Sequence, residues 1–422
     1  MKAIVDSYEH SQIQSLEISS DRLVELNQLF EKDNSNPKYL GIHQELEAGV
    51  IKLKSYYFIG YRWFNEDDEK YIHIAPKYHQ GAQADYLKML VECLKDPVVS
   101  KKLSDSYKIF FQEKWIEIHD EQDEVTPLLI LYFLKIVKNI TQKGLKKGYV
   151  RVTENLSSKI KGKILINQTI KHNHIKNRLD KTVCNHQVFT VNCLENKILK
   201  TALTQCSRNL HGLNNDDIGK LLKQNINAFE LVNTREIFES DFSKIKHSPF
   251  YKEYKDALNL AKMIFKRFGF ALNSSNKQHY HKIPPFYINM PELFERYVEV
   301  QLRKQYVDII DGNRDMKFEF DMRPDFLLPS KKMILDAKYK YWYDKTVEDV
   351  AFKDDYQQLS LYARACKVRQ RINLSNHEEA ILLFIYPKIG GEKEIKFDFS
   401  DNGKFRKIHR IGIQIPIKES NR

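Results

Sequence analysis

The chain of 422 residues lacks several features that would assign it to common classes of protein. It has no uninterrupted apolar run of membrane-spanning length, so we expect no membrane segment. The first ten residues do not contain the apolar core of a signal peptide. The five cysteines are scattered and form no Cys-x-x-Cys pair, which is typical of reduced thiols in a cytoplasmic protein.

A phosphate-binding loop for nucleotides is also missing. No Gly-x-x-x-x-Gly-Lys-Ser/Thr motif occurs, and the two glycines of residues 144–148 have neither that spacing nor a following Lys-Ser/Thr pair. We therefore expect the chain to have no nucleotide site of its own.

Positive charge is concentrated in the middle of the chain, within a total net charge of +12. Residues 1–120 hold 15 Lys/Arg against 20 Asp/Glu, residues 121–283 hold 28 against 14, and residues 284–422 hold 25 against 22. Phosphate backbones attract such basic surfaces, so we expect the middle region to contact DNA. A solvated basic face is the alternative interpretation. The candidate DNA-binding residues are Lys146, Lys147, Lys161 and Lys163.

Hydrophobic patterning predicts an α/β multidomain chain. Short apolar runs between polar turns predict a β-rich domain over residues 1–120. Helical periodicity predicts a mainly helical, basic middle domain over residues 121–275. A polar stretch at 273–282 is typical of a linker, and it precedes a third, α/β domain over residues 284–422. The strands are predicted at 50–53, 56–64 and 71–77, and the helices at 127–137, 193–203 and 258–268.

The most informative motif lies in the third domain. Two apolar runs, 318–328 and 333–340, flank a turn that begins at Pro329, which predicts a β-hairpin. Asp325 lies on its first strand, and Asp336 and Lys338 lie on the second. Residues two apart in a strand point to the same face, so Asp336 and Lys338 project together. Two carboxylates and a lysine on one strand pair suit Mg²⁺ and a reacting phosphate.

This arrangement resembles the signature of PD-(D/E)xK nucleases, here Pro324-Asp325 and Asp336-Ala337-Lys338. The resemblance implies a restriction-endonuclease-like domain in which Asp325 and Asp336 hold Mg²⁺, with the backbone carbonyl of Ala337 as a further ligand. Lys338 would orient or help to deprotonate the attacking water, or stabilise charge on the phosphate. A surface hairpin with an ordinary ion pair is the alternative.

Two helices flank the hairpin in the sequence. Residues 290–302 form an amphipathic pattern with Glu295 beside the apolar stripe, where a carboxylate needs a partner or a metal. Glu295 resembles the helical metal-site glutamate of the nuclease fold, and a bond to an arginine is the alternative. Residues 354–365 place Gln358 and Tyr362 four apart on one helix face. This pair resembles the Gln-xxx-Tyr element of RecB-like nucleases, which helps to position the active site and the DNA.

Further segments resemble the McrC family, the nuclease subunits of McrBC-type modification-dependent restriction systems. The similarity extends over much of the chain. The segments that carry it, besides the hairpin and the helix before it, are Ile74-Ala75-Pro76-Lys77, Gly144-Leu145-Lys146-Lys147-Gly148-Tyr149, Lys161-Gly162-Lys163-Ile164 and Asn196-Lys197-Ile198-Leu199-Lys200.

That resemblance implies a type IV restriction endonuclease subunit that cleaves modified double-stranded DNA with Mg²⁺. It also implies an AAA+ GTPase partner of the McrB type, which would bind GTP and be stimulated by this chain. Residues 1–120 have a net charge of −5, which repels DNA, so we expect them to dock the partner through aromatic and basic side chains of the strands around 56–64 and 71–77. Two alternatives stay open: the nuclease subunit of a site-specific restriction system that methylation blocks, and a non-catalytic adaptor that stimulates a GTPase or tethers DNA.

Overall fold

A computed structural model of the chain describes residues 2–8, 42–47, 50–65, 70–79, 82–103, 106–110, 113–119, 125–208, 216–245, 249–268, 280–313, 323–340, 353–389 and 408–418. The strands are β1 Lys2–Tyr8, β2 Ile42–Glu47, β3 Val50–Ser55, β4 Phe58–Asn65, β5 Lys70–Ala75, β6 Tyr78–His79, β7 Ala82–Ala84, β8 Tyr107–Ile109, β9 Ile116–His119, β10 Gly148–Ser157, β11 Lys163–Ile164, β12 Lys181–Thr190, β13 Tyr280–Ile283, β14 Phe286–Asn289, β15 Ile310–Asp311, β16 Phe326–Leu328, β17 Met333–Ala337, β18 Ile381–Lys388, β19 Ile408–Gln414 and β20 Ile417–Lys418.

The helices follow the same chain order. They are α1 Tyr86–Lys95, α2 Val125–Lys143, α3 Ile166–His172, α4 Leu194–Arg208, α5 Asp216–Ala228, α6 Glu239–Ser243, α7 Lys252–Phe268, α8 Met290–Gln305, α9 Lys353–Tyr362 and α10 Cys366–Arg371. No helix in the described ranges is long and apolar enough to cross a membrane.

The chain divides into two compact units. The first unit combines residues 1–117 with residues 282–422, and the second comprises residues 118–281. Hydrophobic patterning predicts residues 1–120 and 284–422 as two separate domains, whereas the structure places nearly all of both in the first unit. The reason is strand pairing between distant segments, which no local pattern reveals. Residues 273–279 of the expected linker lie outside the described residues.

The N-terminal part of the first unit is built around a mixed sheet with the order β1-β5-β4-β14-β8. Strand β14 comes from the C-terminal part of the chain and pairs antiparallel with both β4 and β8. Gly60 of β4 has a φ of +135°, and a Cβ at this position would clash with the carbonyl oxygen of Phe286. This glycine therefore permits the close approach of β4 and β14.

Aromatic side chains of β4 and β5 fill the core of this sheet. Tyr61, Trp63 and Tyr71 are buried, because alternate residues of a strand face the core and β4 lies between two neighbours. From the sequence, we expect the aromatic residues of these strands to contribute to a partner-docking surface. These three side chains are not available for that role.

The C-terminal sheet has the order β15-β16-β17-β18-β19. Strands β16 and β17 form the predicted hairpin, and β18 and β19 continue the sheet in parallel to β17. Helix α9 packs Leu359 and Tyr362 against this sheet in a cluster with Ile334 and Phe384. The first predicted run of the hairpin begins at residue 318, and its residues 318–322 lie outside the described part of the chain.

The second unit contains helices α2 to α7 and a three-stranded sheet with the order β10-β12-β11. Helical periodicity predicts a mainly helical domain here and gives no indication of the sheet. Strands β10 and β12 pair antiparallel over ten residues each, from Gly148 with Thr190 to Ser157 with Lys181. The connection between them includes α3, which obscures the hairpin pattern in the sequence.

Candidate active site

The hairpin of β16 and β17 places two predicted carboxylates level with each other. Phe326 pairs with Leu335, so the preceding residue, Asp325, lies opposite the following residue, Asp336. The turn between the strands is a short 3-10 helix that ends at Lys332, which has a left-handed φ of 54°. Parallel pairing of β17 with β18 then fixes the hairpin in the sheet.

Both oxygens of the Asp325 carboxylate accept hydrogen bonds. Its Oδ2 accepts one from the backbone N of Ala337 at 2.7 Å, and its Oδ1 accepts one from Nδ2 of Asn313 at 3.2 Å. Burial and the nearby charges of Asp336 and Glu295 raise the pKa of Asp325 well above its ordinary value. Such mutual repulsion of carboxylates is relieved by a proton or by a cation.

Asp336 and Lys338 form the second half of the site. Asp336 is buried, and burial raises the pKa of its carboxyl while Lys338 opposes the rise. Its Oδ2 forms an ion pair at 2.8 Å with Nζ of Lys338, yet accepts no hydrogen bond of good geometry from the described residues. Burial lowers the pKa of Lys338, but Asp336 and then Asp325 and Asp355 outweigh it and raise that pKa. Lys338 is therefore a cation at neutral pH.

Helix α9 brings Gln358 and Tyr362 to the same place. Nζ of Lys338 donates to Oε1 of Gln358 at 3.1 Å, and Nε2 of Gln358 donates to the hydroxyl of Tyr362 at 2.8 Å. The Tyr362 hydroxyl donates in turn to the backbone carbonyl of Arg323 at 3.2 Å. This chain of bonds joins the lysine strand to the segment that carries Asp325.

Glu295 reaches the site through a neighbour. Asn289 caps helix α8, and Pro291 lies in its first turn, which fixes where the helix starts. Oε1 of Glu295 accepts bonds from Nη2 of Arg296 at 2.7 Å and from Nδ2 of Asn313 at 2.9 Å. Burial raises the pKa of Glu295 to about 7, with Arg296 opposing the rise and Glu292 adding to it. Glu295 therefore pairs with Arg296, and the side-chain amide of Asn313 connects it to Asp325.

Sequence reasoning missed two side chains of this site. Asn313 lies in a turn twelve residues before Asp325, where no periodicity marks it. Asp355 lies in the first turn of α9, where an acidic residue is expected on helix-dipole grounds alone. Its Oδ2 accepts a bond from Nζ of Lys340 at 2.6 Å, and its Oδ1 lies 3.7 Å from Nζ of Lys338.

The residues present are compatible with Mg²⁺. Within the described ranges, no group of three or more His, Cys, Asp or Glu side chains is arranged to hold a metal by itself. Mg²⁺ does not require such a group, since it usually binds one or two carboxylates and retains waters or phosphate oxygens. The Asp336 oxygen without a hydrogen bond and the repulsion between Asp325 and Asp336 are what a cation site of this kind predicts.

The four basic candidates of the middle region differ in their surroundings. Nζ of Lys146 forms a partly buried ion pair with Oε1 of Glu195 at 2.6 Å, so this lysine is engaged within the unit. Lys147, Lys161 and Lys163 are exposed at or near the three-stranded sheet. The DNA-binding role stays a prediction for all four, and the ion pair with a carboxylate of α4 makes Lys146 the least suited of them to offer charge to DNA.

Comparisons with known proteins identify the chain as a component of a restriction system. The family described as McrBC 5-methylcytosine restriction system component matches residues 53–387. This range covers most of the chain, and the protein belongs to that family. The resemblance found in the sequence is thereby confirmed.

Two solved structures are similar at 18% sequence identity. One is a half-complex from the tetradecameric assembly of Thermococcus gammatolerans McrB AAA+ hexamers with bound McrC, which matches over 98% of this chain and 94% of that chain with a TM-score of 0.36. The other is the Thermococcus gammatolerans McrBC complex, which matches over 72% of this chain and 88% of that chain with a TM-score of 0.31. No curated protein matches the chain.

Proposed function

We propose that this protein is the Mg²⁺-dependent DNA endonuclease subunit of a McrBC-type restriction system. The observation that carries the proposal is the level placement of Asp325 and Asp336 beside the protonated Lys338. A non-catalytic adaptor has no physical need for this trio, because two buried carboxylates that repel each other destabilise a fold. Membership of a family described as 5-methylcytosine restriction system components supports DNA carrying 5-methylcytosine as the proposed substrate.

The proposed metal ligands are Asp325, Asp336 and the backbone carbonyl of Ala337. When bound, Mg²⁺ supplies Lewis acidity towards the phosphate and makes a bound water a better nucleophile. Glu295 adds a further carboxylate that a shared hydrogen-bond donor joins to Asp325. The side chain of Gln358 positions Lys338, and the hydroxyl of Tyr362 fixes the segment before Asp325 through the carbonyl of Arg323.

Lys338 acts as a cation in this proposal. Its raised pKa keeps it protonated at neutral pH, which disfavours a role as general base before substrate binds. The ammonium group instead orients the attacking water and stabilises the negative charge that grows on the phosphate in the transition state. Of the roles considered from the sequence, the electrostatic one fits the surroundings best.

Plasmid cleavage tests the function. Matched methylated and unmethylated plasmids are incubated with the full chain and Mg²⁺, with and without the AAA+ partner, and with GTP or ATP. We expect cleavage of methylated DNA that requires the partner and GTP. Cleavage of unmethylated DNA alone would indicate a site-specific system, and GTPase stimulation without any cleavage would indicate an adaptor.

Substitutions assign the residues. Asp325→Asn, Asp336→Asn and Lys338→Ala should each lower the cleavage rate by about a thousandfold or more, which corresponds to about 4 kcal/mol of lost transition-state stabilisation. Asp308→Asn is the matched control, because the described hydrogen bonds of Asp308 are those that it accepts from Ser330 in the hairpin turn, and the substitution should leave cleavage unchanged. Normal cleavage by one of the three variants would remove that residue from the site.

We further propose that the chain binds an AAA+ GTPase of the McrB type and stimulates its GTP hydrolysis through the N-terminal third.

Deleting residues 1–120 is not a clean test of this proposal, since the deletion removes β4 and β8, the two strands with which β14 pairs. Full-length variants avoid this problem. Val98→Asp with Lys101→Glu alters exposed residues of the N-terminal third, and Tyr149→Asp with Phe189→Asp alters exposed residues of the second unit. Loss of GTPase stimulation in the first pair alone supports the proposal, and loss in the second pair alone moves the docking surface to the second unit.

A further inference from the structure

A tight turn lies against Asp325, the residue that precedes β16. The backbone N of Gly312 donates to the carbonyl oxygen of Asp325 at 3.0 Å, and a Cβ at Gly312 would clash with the carbonyl oxygen of Pro324. The side chain of Asp311 closes the turn by accepting a bond from the backbone N of Asn313 at 3.0 Å. Residues 311–313, which we call the support turn, therefore have a fixed position relative to Asp325.

The support turn presents one amide group to two carboxylates. Nδ2 of Asn313 donates to Oε1 of Glu295 at 2.9 Å and to Oδ1 of Asp325 at 3.2 Å. A primary amide nitrogen has two hydrogens, so this geometry uses both. Each carboxylate oxygen has further acceptor capacity, and the neutral amide leaves the negative charge of the pair intact for a cation.

Buried ion pairs anchor both ends of this bridge. Oδ2 of Asp311 accepts from Nζ of Lys102 at 2.5 Å and from Nη1 of Arg296 at 2.9 Å. The same guanidinium of Arg296 donates through Nη2 to Glu295, and only 2% of this arginine is exposed. Arg296 thus holds both the support turn and Glu295. The distance between them, which the side chain of Asn313 bridges, can therefore vary little.

We propose that Asn313 is a positioning residue that holds Glu295 and Asp325 at the separation required for binding the divalent cation. This proposal rests on the proposed nuclease function. Asn313 need not touch the metal, because its effect passes through the two carboxylates that it orients. Partners of metal ligands commonly change metal affinity by about 10- to 100-fold when they are removed.

The test measures cation affinity in the full-length protein. Mn²⁺ takes the same oxygen ligands as Mg²⁺, and electron paramagnetic resonance counts the free ion directly. Asn313→Ala, which removes both donors, should raise the Kd for Mn²⁺ by about 10- to 100-fold. Asn313→Ser keeps one donor and should lie between Asn313→Ala and the wild type, and it carries the test if the alanine variant does not fold. Asn225→Ala is the matched control, since it removes a buried amide bond to the carbonyl oxygen of Leu134 in the second unit.

Two comparisons separate this proposal from the nuclease function. A positioning role predicts that saturating Mg²⁺ restores the cleavage rate of Asn313→Ala, whereas Asp325→Asn stays inactive. Mn²⁺ affinities of Asn313→Ala and Asn313→Ser within twofold of the wild type, with Mn²⁺ binding lost in Asp325→Asn, would overturn the role of Asn313 alone. Unchanged Mn²⁺ binding in Asp325→Asn would overturn the metal site and this proposal together.

Discussion

Replacing Glu295 with glutamine should stabilise the metal-free protein at neutral and alkaline pH. Burial raises the pKa of Glu295 from its ordinary 4.5 to about 7 in the folded chain. The folded state therefore binds this proton more tightly than the unfolded state does. The wild type has its full stability below about pH 4.5 and loses part of it as the pH rises through about 7. Glutamine stays neutral and does not incur this loss.

The size of the effect follows from the two pKa values. Each tenfold change in proton affinity is worth about 1.4 kcal/mol, so the difference between 4.5 and about 7 amounts to about 3 kcal/mol. The side-chain carbonyl of glutamine still accepts bonds from Arg296 and Asn313, so the substitution removes the charge and retains the acceptor. Relative to the wild type, Glu295→Gln should gain up to about 3 kcal/mol of unfolding free energy between about pH 4.5 and pH 8.

Tryptophan fluorescence suits this measurement. Of the three tryptophans, Trp63 and Trp115 lie in the described part of the first unit, so their signal follows the unit that contains Glu295. Urea unfolding is recorded with a chelator at a series of pH values. Glu378→Gln is the control. A hydrogen bond from Lys332 lowers the pKa of Glu378 to about 2, so its difference from the wild type should stay constant above about pH 5. A constant difference for Glu295→Gln over the same range would refute the reasoning.

Four further outcomes follow from contacts described above. Mg²⁺ should raise the melting temperature of the wild type more at pH 8 than at pH 6, because its carboxylates must lose their protons to bind it; differential scanning fluorimetry checks this. Tyr362→Phe breaks the bond to Arg323 and should slow plasmid cleavage by about tenfold, less than loss of Asp325 does. Lys102→Met leaves buried acidic partners without their lysine and should cost about 3–5 kcal/mol in urea unfolding. The last outcome concerns the three exposed lysines, Lys147, Lys161 and Lys163. Replacing them together with glutamate should weaken DNA binding and make the slope of log K against log salt concentration shallower by about 2 to 3. An unchanged slope would assign these lysines to a solvated face.

The parts of the site that were predictable from sequence are those that local pattern fixes. Asp325, Asp336 and Lys338 lie within one hairpin, and its apolar runs and turn are contiguous in the chain. Glu295 is placed by the periodicity of a single helix, and Gln358 and Tyr362 share a face because they are four residues apart. In each case the secondary structure alone places the side chain on the face of its hairpin or helix that contributes to the candidate site.

The parts that were not predictable depend on distant partners. Lys146 was assigned to DNA from the charge around it, but Glu195 neutralises it from a helix 49 residues away. Asn313 serves the site through a turn, and turns have no period that marks an inward-facing amide. The burial of Tyr61 escapes prediction because β14, which pairs with β4 from Phe58 to Tyr61 and places Phe286 beside this ring, comes from beyond residue 280.

The insertion of β14 between β4 and β8 also governs when the first unit can form during synthesis. Lys102 and Glu299, which form an ion pair, are 197 residues apart, so the N-terminal strands leave the ribosome long before the strand that separates them. At about 5–20 residues per second, translation of residues 118–281 takes roughly 10 to 30 s. Through that interval β4 and β8 lack their shared partner β14 and present unpaired edges. The second unit can complete its own core meanwhile, because its residues are continuous in the chain. Because unpaired strand edges promote aggregation, we expect those nascent edges to need protection before the candidate site can form, a need that the finished fold no longer shows.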